Sequence, residues 1–216
     1  MPLYKTININ DTTRLLVWKV TETAEELTSQ VQLKDICTLR IDKMKSEQHR
    51  RAFLSVRKLM QETGYTDFDM YYDADGKPHL KDGRNISITH SYNFAAIIVS
   101  DLPIGIDMEI RREKVVRIAD KYIDREFEYL DPSDLTRHVR MLIIIWGVKE
   151  ALYKMFSRTG LSFKQHINVH FFDPDAGNGT AAVNFEDIKG TYTFSFEEIE
   201  DFTLVYCVDT ASPVQQ

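Results

Sequence analysis

Helical and strand-like segments come in blocks along this chain, and their order narrows the fold more than any other feature. RLLVWKV (14–20) reads as a strand, and Thr23 with Glu26 three residues on forms a capping box that predicts a helix to about Leu33. A second helix is expected from about Lys45 to Glu62, where Phe53, Val56 and Met60 recur at three- and four-residue spacing and Gly64 stops it. FDMYY (68–72), NISIT (85–89), AAIIV (95–99) and PIGIDMEI (103–110) are short β-branched and aromatic runs separated by the turn signals DADGKP and SDLP. From about Val115 to Phe156 the pattern is helical again, with a break at Asp131-Pro132-Ser133 and one long helix from about Ser133. INVHFF (167–172), AAVNF (181–185), TYTFSF (191–196) and FTLVYCV (202–208) return to strand, with DPDAGNG as a hairpin connection. This order predicts an α+β protein of two similar-sized lobes, an N-terminal lobe over 1–102 and a C-terminal lobe over 103–210, with a frayed tail at 211–216.

Composition sets outer limits. The 216 residues, 43% of them hydrophobic, suffice for a substantial core. The longest unbroken apolar run, Met141 to Trp146, is far shorter than the roughly 20 residues of a membrane span, and the N-terminus has no basic start followed by an apolar stretch, so a cytoplasmic protein is expected. Cys37 and Cys207 supply neither a disulfide framework nor a four-thiolate zinc site and read as buried thiols. A net charge of -6 argues against a nucleic-acid backbone as partner. The runs HRR (49–51) with Arg57 and Lys58, and Arg111-Arg112, are nonetheless concentrated enough to bind a small anion.

Three segments carry chemistry. In a strand over Ile104–Ile110 alternate residues share a face, so Gly105, Asp107 and Glu109 lie together, the two carboxylates roughly 7 Å apart beside a glycine that leaves room for a ligand. Like charges that close need a cation between them, and a hard divalent ion suits oxygen donors. On the long helix Trp146, Glu150 and Lys154 are spaced by four, with Lys149 near their face. A carboxylate and an ammonium there suit a metal ligand or base and a phosphate clamp, or an ordinary helix-stabilising pair. Ser87-Ile88-Thr89-His90-Ser91 ends a strand on a histidine flanked by hydroxyls, and Asp75-Gly76-Lys77-Pro78 is a tight turn presenting a lysine. No P-loop, Rossmann, zincin or serine-hydrolase motif is present.

Together and in order, GKP (76–78), ISITHS (86–91), IGIDME (104–109) and WGVKEALYK (146–154) resemble the 4′-phosphopantetheinyl transferase family, in its Sfp-like, single-chain branch. That family is marked by a G-[IV]-D-x-E strand followed by a W-x-x-K-E-x-x-x-K helix; Asp107 and Glu150 are 43 positions apart here (150 − 107). HRRAFLSVRKLM also looks like the family's Arg-containing N-terminal helix. The similarity touches most of residues 48–164. Gly147 departs from the pattern, since many members carry a hydroxyl residue or cysteine there.

The resemblance implies two α+β lobes related by pseudo-twofold symmetry in one monomeric chain, with coenzyme A as donor and transfer of its phosphopantetheine arm to a serine of an acyl or peptidyl carrier protein. By similarity, Asp107, Glu109 and Glu150 would bind Mg²⁺ or Mn²⁺, Glu150 would act as base and Lys154 would stabilise departing adenosine 3′,5′-bisphosphate, with Lys149 as helper. Arg51, Lys77, Pro78, Thr89 and His90 match positions that hold the nucleotide and its phosphates, with Arg57 as an addition. A basic and apolar segment between the motifs, including Arg111, Arg112, Lys114, Arg117, Val116 and Phe127, would dock an acidic carrier helix. Two other readings remain open. One is a Mg²⁺-dependent phosphohydrolase on a nucleotide-like substrate. The other is a non-catalytic carrier-binding relative, against which the intact Asp, Glu, Glu and Lys set argues.

Overall fold

The computed structural model describes residues 3–210, so the expected frayed tail lies outside the described residues. The chain divides into two compact units, Met1–Leu102 and Pro103–Gln216, each of the α+β class.

The first unit is a six-stranded antiparallel sheet with three helices. Its strands are β1 (Leu3–Asn8), β2 (Arg14–Lys19), β3 (Met70–Tyr72), β4 (Pro78–Leu80), β5 (Asn85–Ser91) and β6 (Phe94–Ser100), in the order β1-β2-β6-β5-β4-β3. Helices α1 (Ala24–Thr28), α2 (Asp35–Lys43) and α3 (Glu47–Glu62) intervene between β2 and β3. The Thr23–Glu26 capping box forms, but α1 ends five residues later. Thr28 and Ser29 turn their hydroxyls back onto the carbonyls of Ala24 and Glu26, both at 2.7 Å; the Glu26 carbonyl is the acceptor that the Gln30 N–H would use in a longer helix, and that N–H turns to Leu27 instead. Helix α3 starts on the Ser46 cap and stops at Gly64, whose φ of +87° only glycine adopts readily. Its Phe53, Val56 and Met60 pack with Leu16, Trp18, Ile86, Ala95 and Ile97 in one core.

The second unit is a five-stranded antiparallel sheet. It contains β7 (Ile104–Ile110), β8 (Ile167–Val169), β9 (Asn178–Phe185), β10 (Ile188–Ile199) and β11 (Phe202–Val208), ordered β7-β11-β10-β9-β8. A 22-residue helix, α4 (Leu135–Phe156), and a short α5 (Phe163–His166) complete it. The region expected to turn helical at Val115 forms two 3₁₀ stretches instead, Glu113–Lys121 and Arg125–Tyr129, before Asp134 caps α4 through the Arg137 N–H at 3.0 Å. At the start of the second stretch, the Glu126 carboxylate captures the Asp124 and Val169 N–H groups, each at 3.0 Å, which fixes the chain in a non-α path. The strand expected over 167–172 ends at Val169, because Phe172 leaves the ladder to pack edge-on against Phe194 at 5.5 Å. No helix among the described residues is long and apolar enough to cross a membrane.

Helix α4 lies very close to β7 and β11. A Cβ on Gly105 would stand 1.8 Å from the Ala151 carbonyl oxygen, and one on Gly147 would stand 2.6 Å from Val205 Cγ2. The space expected beside Gly105 for a ligand is therefore occupied by the backbone of α4. Gly147, a departure from the family pattern, is here a condition of packing. In an isolated helix Gly147→Ala would stabilise by up to about 1 kcal/mol. In this protein it is expected to destabilise by about 1–3 kcal/mol, with Val205→Ala in the same chain recovering part of the loss. Urea unfolding of the two single variants and the double variant measures the sign and the coupling.

Candidate functional site

The polar face of β7 is turned towards α4. Gly105 meets Ala151, and Asp107 meets Lys154, whose Nζ donates to Asp107 Oδ1 at 2.7 Å and to the Ile106 carbonyl at 3.0 Å. Asp107 is almost fully buried, while Glu109, Glu150 and Lys154 are partly exposed. Helical spacing explains the grouping: Trp146, Glu150 and Lys154 recur every four residues and so share the side of α4 that covers β7.

The carboxylates act on one another. Burial, then repulsion from Asp107 and Glu150, pushes Glu109 up to about 7, opposed by the nearby Trp146 indole and by the Lys154 charge. Burial and the Asp107 charge also raise Glu150, with Lys154 opposing. One ammonium thus faces three acidic groups in a partly desolvated site.

Those oxygen donors suit a hard cation. Among the described residues no group of three or more His, Cys, Asp or Glu side chains is disposed to hold a metal by itself. Lys154 lies against the Asp107 oxygen instead. Mg²⁺, however, usually takes only one or two protein carboxylates and fills its octahedron with water and phosphate oxygens, so the donor set fits it without a three-carboxylate cage.

Lys149 does not join this group. It is fully buried, with its Nζ 2.6 Å from Glu126 Oε1 and donating to the carbonyls of Tyr122 and Phe163. Arg57 in the first unit is likewise enclosed. Its Nε donates to Asp67 Oδ1 at 3.1 Å and its guanidinium lies 3.5 Å from the centre of the Phe53 ring. Both read from the sequence as ligand-binding cations and are placed as internal ones.

The other first-unit candidates lie on three elements. Arg51, on α3, donates to the Val20 carbonyl at 2.7 Å. Lys77 sits in the β3–β4 turn, with its N–H on Asp73 Oδ1 at 2.9 Å and Gly76 at φ +84°. Burial lowers the Lys77 ammonium, and the Asp73 charge opposes this. Pro78 opens β4, and on β5 Thr89 is buried while His90 is exposed.

In the basic segment of the second unit, Arg111 donates to the carbonyls of Phe202 and Glu200, and Arg140 pairs with Glu198 and Asp175. Val115 is core. Val116 and Phe127 are exposed, and Lys114, Val116, Arg117, Glu113 and Leu135 line a pocket of about 390 Å³.

The groups that sequence reading missed are Glu126, Tyr122 and Phe163. None belongs to a periodic pattern or a motif that would mark it.

Residues 103–207 match the family model of the 4′-phosphopantetheinyl transferase superfamily, which covers the β7 and α4 motifs together. No curated protein matches the chain.

The raised Glu109 gives a test in metal-free solution. Between about pH 4.5 and 7 the folded state holds a proton there that the unfolded chain has released, so stability should fall as pH rises through that window. Glu109→Gln should flatten this slope, as followed by thermal melting in EDTA from pH 4 to 8.

Proposed function

We propose that this chain, whose second unit belongs to the 4′-phosphopantetheinyl transferase superfamily, transfers the 4′-phosphopantetheine arm of coenzyme A to a serine of an apo acyl or peptidyl carrier protein. The reaction would release adenosine 3′,5′-bisphosphate, making the chain a holo-carrier-protein synthase of the single-chain, Sfp-like branch. The observation that carries the reading is the gathering of Asp107, Glu109, Glu150 and Lys154 under one helix within the matched residues.

Asp107, Glu109 and Glu150 would hold Mg²⁺ or Mn²⁺, which when bound neutralises the charge of a pyrophosphate. Glu150 is suited to accept the serine proton, because burial and the Asp107 charge raise its affinity for one. As the serine oxygen bonds to the phosphorus of the pantetheine arm and the bond to the bridging pyrophosphate oxygen breaks, charge builds on the leaving nucleotide. Lys154, held by Asp107 Oδ1 and the Ile106 carbonyl, supplies an ammonium to receive it. Arg51, Lys77, Pro78, Thr89 and His90 remain the proposed nucleotide and phosphate contacts of the first unit.

For the carrier, the exposed Val116, Leu135, Lys114 and Arg117 of the 390 Å³ pocket offer apolar contact edged by positive charge, which suits an acidic helix. Arg111 is committed to the carbonyls of Phe202 and Glu200, and Arg140 to carboxylates. Both buried cysteines are free thiols, which agrees with a reducing cytoplasm.

Mass spectrometry of purified apo carrier proteins incubated with the chain, coenzyme A and Mg²⁺ tests the reading directly. The expected result is the mass gain of one phosphopantetheine arm, lost in excess EDTA. Release of adenosine 3′,5′-bisphosphate at a comparable rate without carrier would mark a hydrolase instead. Glu150→Gln should lower the transfer rate by at least about 100-fold with an unchanged melting curve. Lys114→Glu with Arg117→Glu should raise KM for the carrier at low ionic strength and leave KM for coenzyme A unchanged.

A further inference from the structure

Lys149 has no exposed surface, and its ammonium meets three acceptors: Glu126 Oε1 at 2.6 Å, the Tyr122 carbonyl at 2.8 Å and the Phe163 carbonyl at 3.0 Å. Three donors are thus matched by three acceptors. Glu126, equally buried, also accepts the N–H groups of Asp124 and Val169. A buried ion pair adds little net stability over a packed apolar pair of the same volume, so stability alone does not account for such a network.

Its consequence is geometric. The two residues whose carbonyls Lys149 holds also supply the rings that enclose Trp146. Tyr122 meets the indole edge-on at 5.0 Å and 84°, and Phe163 meets it at 5.7 Å and 65°. Trp146 is half-buried between them, one turn before Lys149 on α4. It stands next to Gly147, whose Cβ position lies 3.8 Å from Asp107 Oδ2, and it shares the side of α4 that carries Glu150 and Lys154. Direct contacts therefore run from the buried ion pair to Trp146, which lies on the same side of α4 as Glu150 and Lys154.

We propose that Glu126 and Lys149 are positioning residues for the site: by fixing Tyr122 and Phe163 they fix the Trp146 indole, and with it the side of α4 that carries Glu150 and Lys154. Lys149 touches neither substrate nor metal in this role. The inference deepens the transferase reading and rests on it for one of its two readouts; the other is independent of any activity.

The independent readout is the Trp146 indole N–H resonance in a ¹H–¹⁵N spectrum, assigned by its loss in Trp146→Phe. The double variant Glu126→Leu with Lys149→Met removes both charges together and avoids a lone buried ion. It should shift that resonance and lower kcat by about tenfold or more, with KM for coenzyme A changed by less than about twofold. Phe163→Leu, a change at a partly exposed ring, should move both readouts in the same direction by less, and it decides the matter if the double variant does not fold. An unmoved indole resonance in a folded variant overturns the proposal, as does an unchanged kcat where the wild-type chain transfers. If the wild-type chain transfers nothing, the transferase reading fails while the indole resonance still decides the positioning claim.

Discussion

Backbone contact between α4 and the edge of the second sheet governs the rest of the second unit. Two glycines allow it from opposite sides: Gly105 on β7 admits the Ala151 carbonyl, and Gly147 on α4 admits the Val205 side chain of the neighbouring strand β11. A helix held off by ordinary side chains would sit 8–10 Å from its neighbour, by the rule for packed helices, and would leave a layer of apolar side chains between. Here that layer is absent at two points, and polar side chains occupy the seam. Lys154 can then reach both the main chain of β7 and the Asp107 carboxylate.

The same helix carries two lysines in opposite circumstances, five positions apart. Lys149 is enclosed and its charge is met one for one by Glu126, with two carbonyls completing its donors. Burial lowers its ammonium and the Glu126 charge offsets this only in part. Lys154 is partly exposed and confronts more negative charge than it can neutralise; burial first, and then that repulsion, drives Glu109 and Glu150 towards their protonated forms. The first arrangement is closed. The second is left with acidic charge to spare and solvent access, the condition under which an incoming cation or a proton from a substrate finds a place.

Much of this was legible in the sequence. The alternation of Ile104–Ile110 identified β7 and put Asp107 and Glu109 on one face, and four-residue spacing put Trp146, Glu150 and Lys154 on one side of α4. What periodicity cannot say is which neighbour lies over a face. The gap at Gly105 therefore read as room for a ligand, when it is filled by helix backbone. Lys149 lies 100° round the helix from Glu150, close enough to read as part of the same face, and its partner Glu126 sits in a 3₁₀ stretch with no repeating pattern. Likewise α1 stopped early because two hydroxyls competed for its carbonyls, a local choice that apolar spacing does not record.

Several arginines of the basic runs are tied within the fold. Arg57 closes on Asp67, Arg111 on the carbonyls of Phe202 in β11 and Glu200 in the turn before it, and Arg140 on Glu198 and Asp175, so Arg57 and Arg111, from runs that read as anion sites, tie the fold together. The planar fork of the guanidinium, with five donors, suits it to tying several acceptors at once. At Lys77, on the β3–β4 turn, burial works against the ammonium while the Asp73 charge supports it. A phosphate brought beside it would add to that support, so binding an anion there would strengthen the very charge that attracts it.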